Sequence, residues 1–309
     1  MYTQIIPQNN QQAVFFTLVS TERQKNGASL LVDSLRSFGG SLNQCPVWIF
    51  TADSQLILDD TLVADRVQII PLHTPANIEG YWFAPKVAAC AQAEELAAGK
   101  VVSLIWLSTD CLIVKPPLSF DLGSTFDIAL RPVHIRNIGL LAAEPLDDFW
   151  KVIYTTLGVQ EIQTTVKSFV DDQLLRPYFN SHALSINPSI RLFRRWFELF
   201  ERLVNDNSFQ SGPCQDELHR IFLHQAVLST LIASSVTLDR MRILPVDYSY
   251  PYNLHAKVPE ERQARALNDL VCFAYEDRSL DPITVDDIEI HEPLKSWLSS
   301  RVRRLEERT

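Results

Sequence analysis

Apolar positions along the chain fall into runs of two periods. Val101 to Leu107 is apolar at every position but Ser103 and rich in β-branched and aromatic residues, which predicts a central strand buried on both faces. The run breaks at Ser108, Thr109 and Asp110, and a second short piece, Cys111 to Val114, is closed by Lys115 and two prolines that cannot pair inside a sheet. Ala13 to Val19, Pro46 to Thr51, Val67 to Leu72, Asp127 to Val133 and Met241 to Val246 read as further strands. Between them the period lengthens to that of a helix. Gln24 to Phe38, Tyr81 to Leu96, Pro145 to Leu157 (with proline at its first position), Ser189 to Leu203 and the segment holding His224 to Leu228 are the predicted helices, with one more expected after Asp53. His134 to Asn137 reads as a polar loop. Strands alternating with helices predict an α/β fold, a mostly parallel central sheet with helices on both faces.

The ends of the chain differ from its body. Residues 1–12 are polar, without the apolar stretch of a signal peptide, and are predicted to be a mobile tail before a domain over 13–292. Over 293–309, Leu294, Trp297, Leu298, Val302 and Leu305 recur at helical spacing among Arg301, Arg303, Arg304 and Arg308. This predicts a C-terminal helix that docks on the domain, on a second copy in a homo-oligomer, or peripherally on a membrane surface.

Charge and cysteine content narrow the classes. A net charge of −9 without a basic stripe argues against nucleic acid as a partner. Five cysteines without metal spacing read as buried free thiols in a reducing compartment, and no apolar stretch reaches membrane-spanning length, so a soluble cytoplasmic protein is expected. No glycine-rich dinucleotide or P-loop signature is present.

Polar residues collect where strands end, which is where open α/β sheets hold ligands. Ser20 and Thr21 follow the first strand, Asp53 follows the second and Ser108 to Asp110 follow the central one. Each also has an ordinary structural use, since Ser, Thr and Asp cap helices and make turns.

Taken with Phe179-Asn180-Ser181-His182, Asn187-Pro188, His224-Gln225-Ala226-Val227-Leu228 and Asp247 to Asn253, this order of elements resembles the GT-A-fold nucleotide-diphospho-sugar glycosyltransferases, in particular the glycogenin and galactosyltransferase-like group, from Ala13 to Asn253. In that group the central strand ends in Asp-x-Asp; here Ser108 stands in the first acid's place, so the motif is degenerate. Two more departures are His182, where a glycine usually lies against the donor sugar, and His224, where an acid usually precedes the glutamine. Asp171-Asp172-Gln173-Leu174-Leu175 offers a competing match in the wrong order. The resemblance implies a site for a UDP- or GDP-type sugar built from Ser20, Thr21, Asp53, Lys86, Ser108, Thr109, Asp110, Asn180, His182, His224 and Gln225.

It also implies manganese or magnesium, weakly held or absent, with Asp110 as one ligand. The family's distal histidine lies beyond the last strand, where this chain reads Leu270 to Glu276 without a histidine, leaving His255 or His291 as candidates. Without a metal, Lys86, Arg131, Arg136 or Lys257 would have to stabilise the diphosphate. Two functions follow: a glycosyltransferase acting on an unknown acceptor, or a non-catalytic relative that binds a nucleotide, glycan or protein.

Overall fold

The computed structural model describes residues 11–53, 66–285 and 287–306. β1 (Gln11–Leu18) leads into α1 (Glu22–Phe38), followed by β2 (Val47–Thr51) and β3 (Val67–Pro71). α2 (Ala84–Ala97) feeds β4 (Val101–Leu107), and the short β5 (Cys111–Ile113) comes directly after the Ser108 to Asp110 turn. β6 (Ile128–Leu130) and α3 (Asp148–Thr156) precede a hairpin of β7 (Val166–Lys167) and β8 (Leu174–Leu175). β9 (Ala183–Ile186) is followed by α4 (Leu192–Val204), α5 (Asn207–Ser211) and α6 (Glu217–Ser235). Last come β10 (Met241–Ile243), β11 (Tyr250–Pro251), β12 (Cys272–Ala274) and α7 (Leu294–Glu306).

The main sheet has seven strands in the order β10-β6-β9-β4-β1-β2-β3, which puts Val101–Leu107 in the middle. Every neighbouring pair is parallel except the two made by β9, which runs against β4 and β6. Alternation along the strands explains why their sequences are apolar at both parities. Val14, Phe16, Leu104 and Trp106 face a core shared with Val87 of α2, Phe193 and Trp196 of α4 and Val227 of α6. Their neighbours Phe15, Ile105 and Leu107 face a second core with Leu31, Val32 and Leu35 of α1. Helices therefore cover both faces.

Several boundaries differ from the sequence expectation for local reasons. Gln11 and Gln12, assigned to the tail, already belong to β1, where Gln11 sits opposite Val101. The rest of the expected tail, and the helix expected after Asp53, fall on 1–10 and 54–65, outside the described residues. Proline does not open α3, because Asp147 caps it by accepting from the Trp150 amide at 2.8 Å and the helix begins after both. The helix expected from Ser189 is interrupted at Arg191, whose φ of 54° ends one short turn and starts α4. His134, placed in a polar loop, is 8 % exposed. All five cysteines are free, four of them buried.

The apolar side of α7 is taken up by the chain itself. Leu294 and Leu298 are buried in a third core with Leu30 and Phe273, and the Trp297 ring packs edge-on against Phe38 at 5.3 Å. Trp297 Nε1 donates to Ser37 Oγ at 2.9 Å, and Arg301 pairs with Asp33 at 3.3 Å. Leu298→Ala should lower the unfolding free energy by about 2–5 kcal/mol in urea denaturation, because the fully buried leucine leaves a cavity. An unchanged midpoint would mean that α7 is not held to the domain in solution.

Candidate functional site

Three side chains just past the ends of strands are brought together by strand register. The antiparallel pairing of β4 with β9 sets Leu107 opposite Ala183, so the next step aligns Ser108 with His182, and the Ser108 amide donates to the His182 carbonyl at 2.8 Å. The antiparallel pairing of β5 with β12 sets Cys111 opposite Ala274, and the Tyr275 amide donates to the Asp110 carbonyl at 2.9 Å. Glu276 is one residue further on, with φ 47°, in the left-handed region that is costly for a non-glycine residue and recurs at functional sites. The result is a cluster of Asp110, His182 and Glu276 in which one ligand atom from each lies within 4.8 Å of the others.

The cluster has the features a cation needs. Asp110 Oδ1 is buried and has no hydrogen-bond partner among the described residues, an expensive state for a carboxylate oxygen unless something else binds it. His182 Nε2 lies 3.5 Å from Glu276 Oε1. Asn180 Oδ1 accepts from the His182 amide at 2.7 Å and lies 3.1 Å from His182 Nδ1. With the proton on Nδ1 shared with that oxygen, Nε2 keeps its lone pair for the cluster, the usual arrangement of a ligand histidine. Burial pushes the Glu276 carboxyl pKa up, His182 pulls it down, and the nearby Asp110 charge adds to the rise. A divalent ion with ligands at roughly 2–2.6 Å spans donors up to about 5 Å apart, so this donor set fits one.

Around the cluster is a cleft of about 710 Å³ whose lining includes Thr21, Lys86, Ser108, Thr109, Asp110, His182, His224 and Gln225. Thr21 serves twice, since its Oγ1 also caps α1 by accepting from the Gln24 amide at 3.2 Å. Ser20 and Asp53 are not in the lining, and Asn180 stands behind His182. His255, expected as a metal ligand, is buried in a turn with its Nδ1 2.7 Å from the Tyr250 hydroxyl and is not among the three residues of the cluster. His291 is exposed beside Glu289. Of the four candidate cations only Lys86 reaches the cleft. Arg131 is buried and spends Nη1 on the Val246 and Tyr248 carbonyls at 2.8 Å each, Arg136 pairs with Glu144 at 2.8 Å, and Lys257 lies in the exposed surface outside the lining. The competing Asp171 to Leu175 match is not helical: Asp172 has φ 59° and the segment enters β8. His224 and Gln225 are on α6.

Sequence reasoning passed over Glu276, Arg23 and Gly27. Glu276 was legible in one respect, as the acid ending the stretch searched for a histidine. Arg23 lines the cleft and holds the Glu276 segment, donating through Nη2 to the Glu276 carbonyl at 2.6 Å and to Asp277 Oδ1 at 2.7 Å. Gly27 lets α1 lie against the central turn, because a Cβ there would land on the Thr109 carbonyl oxygen. Gly27→Ala should therefore displace the turn and weaken ligand binding in the cleft several-fold, read as a raised dissociation constant; binding equal to wild type would show that the contact gives way freely.

No curated protein sequence matches the chain. Among solved structures, the galactosyltransferase LgtC in complex with donor and acceptor sugar analogs superposes with a TM-score of 0.52 at 12 % identity, covering 96 % of this chain and 95 % of that one. Mouse xyloside xylosyltransferase 1 superposes with a TM-score of 0.47 at 11 % identity, covering 85 % and 97 %. The first of these has the GT-A fold expected from the order of elements, and this chain shares that fold. Residues 15–235, from β1 through α6, match the family described as Rhodobacterales glycosyltransferase domain, and the chain belongs to that family.

Proposed function

We propose that the chain transfers a sugar from a nucleoside-diphosphate sugar to an acceptor hydroxyl, with a divalent cation held by Asp110, His182 and Glu276. The observation that carries this reading is the convergence of one ligand atom each from Asp110, His182 and Glu276 within 4.8 Å in the cleft, beside an Asp110 Oδ1 that has no hydrogen-bond partner among the described residues. In the transfer, the bond between the anomeric carbon and the diphosphate oxygen breaks with its electron pair going to the diphosphate, the acceptor oxygen bonds to that carbon, and the acceptor's proton passes to the departing diphosphate or to water. A bound divalent cation supplies charge stabilisation to the departing diphosphate. The chain's own residues do the rest. Asn180 orients His182, Arg23 braces the Glu276 backbone, and Thr21, Gln24 and Asn26 on the α1 side offer polar groups to the nucleoside.

The non-catalytic reading rested on Ser108, His224 and the missing distal histidine. The cluster supplies a second carboxylate from Glu276 and an imidazole from His182, so the loss of the first acid and of the distal histidine both have counterparts. The five unpaired thiols suit a reducing, cytoplasmic setting, and no helix among the described residues is long and apolar enough to cross a membrane.

Incubation with UDP- and GDP-sugars and manganese tests the reading by release of the nucleoside diphosphate. Turnover that disappears with chelation supports it. No nucleotide binding with any donor, with or without metal, contradicts it. Ser108→Asp should tighten manganese-dependent nucleotide binding by adding a carboxylate beside Asp110, whereas without a cation it adds only like-charge repulsion and lowers thermal stability. A variant with unchanged metal affinity would place the cation away from this turn.

A further inference from the structure

Lys86 is a buried cation with no ion pair among the described residues, and the acid whose charge reaches it is Asp110 of the cluster. It is 7 % exposed and lines the cleft from the first turn of α2. Its Nζ donates to the Ser181 carbonyl at 2.7 Å and to Ser181 Oγ at 2.9 Å, which uses two of its three protons. The rings of Phe83 and Trp106 lie 5.7 and 5.4 Å from the ammonium. Burial pushes its pKa down to about 8, the mark of a charge that lost water without gaining a full counter-charge.

Asp110 acts on Lys86 only through space and is one of the three residues assigned to the cation, and the groups packed directly around the lysine are neutral. His224 Nδ1 is 2.9 Å from the Ile221 carbonyl, which requires a proton on Nδ1, and its Nε2 is 3.3 Å from Ser181 Oγ. Burial and the Lys86 charge both push the imidazole pKa down, so His224 is neutral. Phe83 stacks on its ring at 4.2 Å and is itself held at φ 60°. Gln225 completes the group through Ser181 Oγ at 3.2 Å. This part of the cleft, built by α2 and α6, lies on the sheet face opposite α1.

Resting on the glycosyltransferase reading, the layout divides the donor among these parts. With the nucleoside on the α1 side and the diphosphate at the Asp110, His182 and Glu276 cluster, the transferred sugar is what reaches Lys86. We infer that the donor sugar carries a carboxylate, as in a hexuronic acid, and that Lys86 is the residue that selects it. A carboxylate is acceptor-only, suits the remaining Lys86 proton, and supplies an ion-pair partner to a side chain that is itself buried. The Phe83 ring offers the apolar surface against which the sugar ring can lie.

Calorimetric titration with manganese tests this using UDP-glucuronate against UDP-glucose, GDP-mannuronate against GDP-mannose, and UDP and GDP alone. Wild type should bind the uronate of one pair at least ten-fold more tightly than its neutral partner. Lys86→Met should remove that preference while leaving affinity for the diphosphate alone within about two-fold, and Lys86→Arg should keep the preference. Equal binding of uronate and neutral sugar by wild type would overturn the inference and leave the glycosyltransferase reading standing. So would a Lys86→Met variant, folded by its melting curve, that loses affinity for UDP or GDP alone by the same factor, since Lys86 would then serve the diphosphate. Failure of every nucleotide to bind wild type would overturn both.

Discussion

Asp110→Asn is expected to reduce metal-dependent turnover by roughly a hundred-fold or more, since even the outer-shell partners of metal ligands are worth about 10–100-fold. Asparagine keeps the shape and removes the charge. Asp110 Oδ1 is buried without a hydrogen-bond partner among the described residues and its carboxylate raises the pKa of Glu276, so without metal the group opposes its surroundings. The same substitution should therefore leave metal-free thermal stability unchanged or slightly raised. Loss of turnover together with preserved melting separates a ligand role from a structural one. A variant that melts early would instead make Asp110 part of the turn's scaffold.

Glu276→Ala is expected to weaken manganese-dependent nucleotide binding by at least ten-fold and to act on the same cation as Asp110. Groups that bind one ion are not independent, so the Asp110→Asn and Glu276→Ala losses should fall well short of adding when combined. The geometry makes the coupling specific. Glu276 is carried to the site by the β5 and β12 pairing and fixed by Arg23 on its own carbonyl, while Asp110 ends the central strand. Full additivity in a double-mutant cycle read by titration calorimetry would place the two carboxylates in separate sites.

The fold was legible wherever burial on both faces left a signature. Val101 to Leu107 announced itself because both of its faces meet helices, and it is the middle strand. Capping was harder to read: Asp147 outranks the nearby proline as the start of α3 because a carboxylate that takes the Trp150 amide satisfies an orphan donor, whereas proline only tolerates the position. Asp110, Thr21 and Lys86 could be picked out because they sit at strand ends or on the helix feeding the central strand. The departure at His182 and the acid at Glu276 were both visible as residues, but their meeting depends on two antiparallel registers set by β9 and β12, and no local pattern encodes a register between strands so far apart in the chain. His255 shows the converse, since its place in the chain is near the expected ligand while its Nδ1 lies 2.7 Å from the Tyr250 hydroxyl, a contact that spacing along the chain does not reveal.

Manganese-edge anomalous scattering from crystals grown with manganese and UDP or GDP tests the central claim most directly. A single strong peak is expected within roughly 2–2.6 Å of Asp110, His182 Nε2 and Glu276. Diphosphate bound in the cleft with no metal peak among these three residues would contradict that claim.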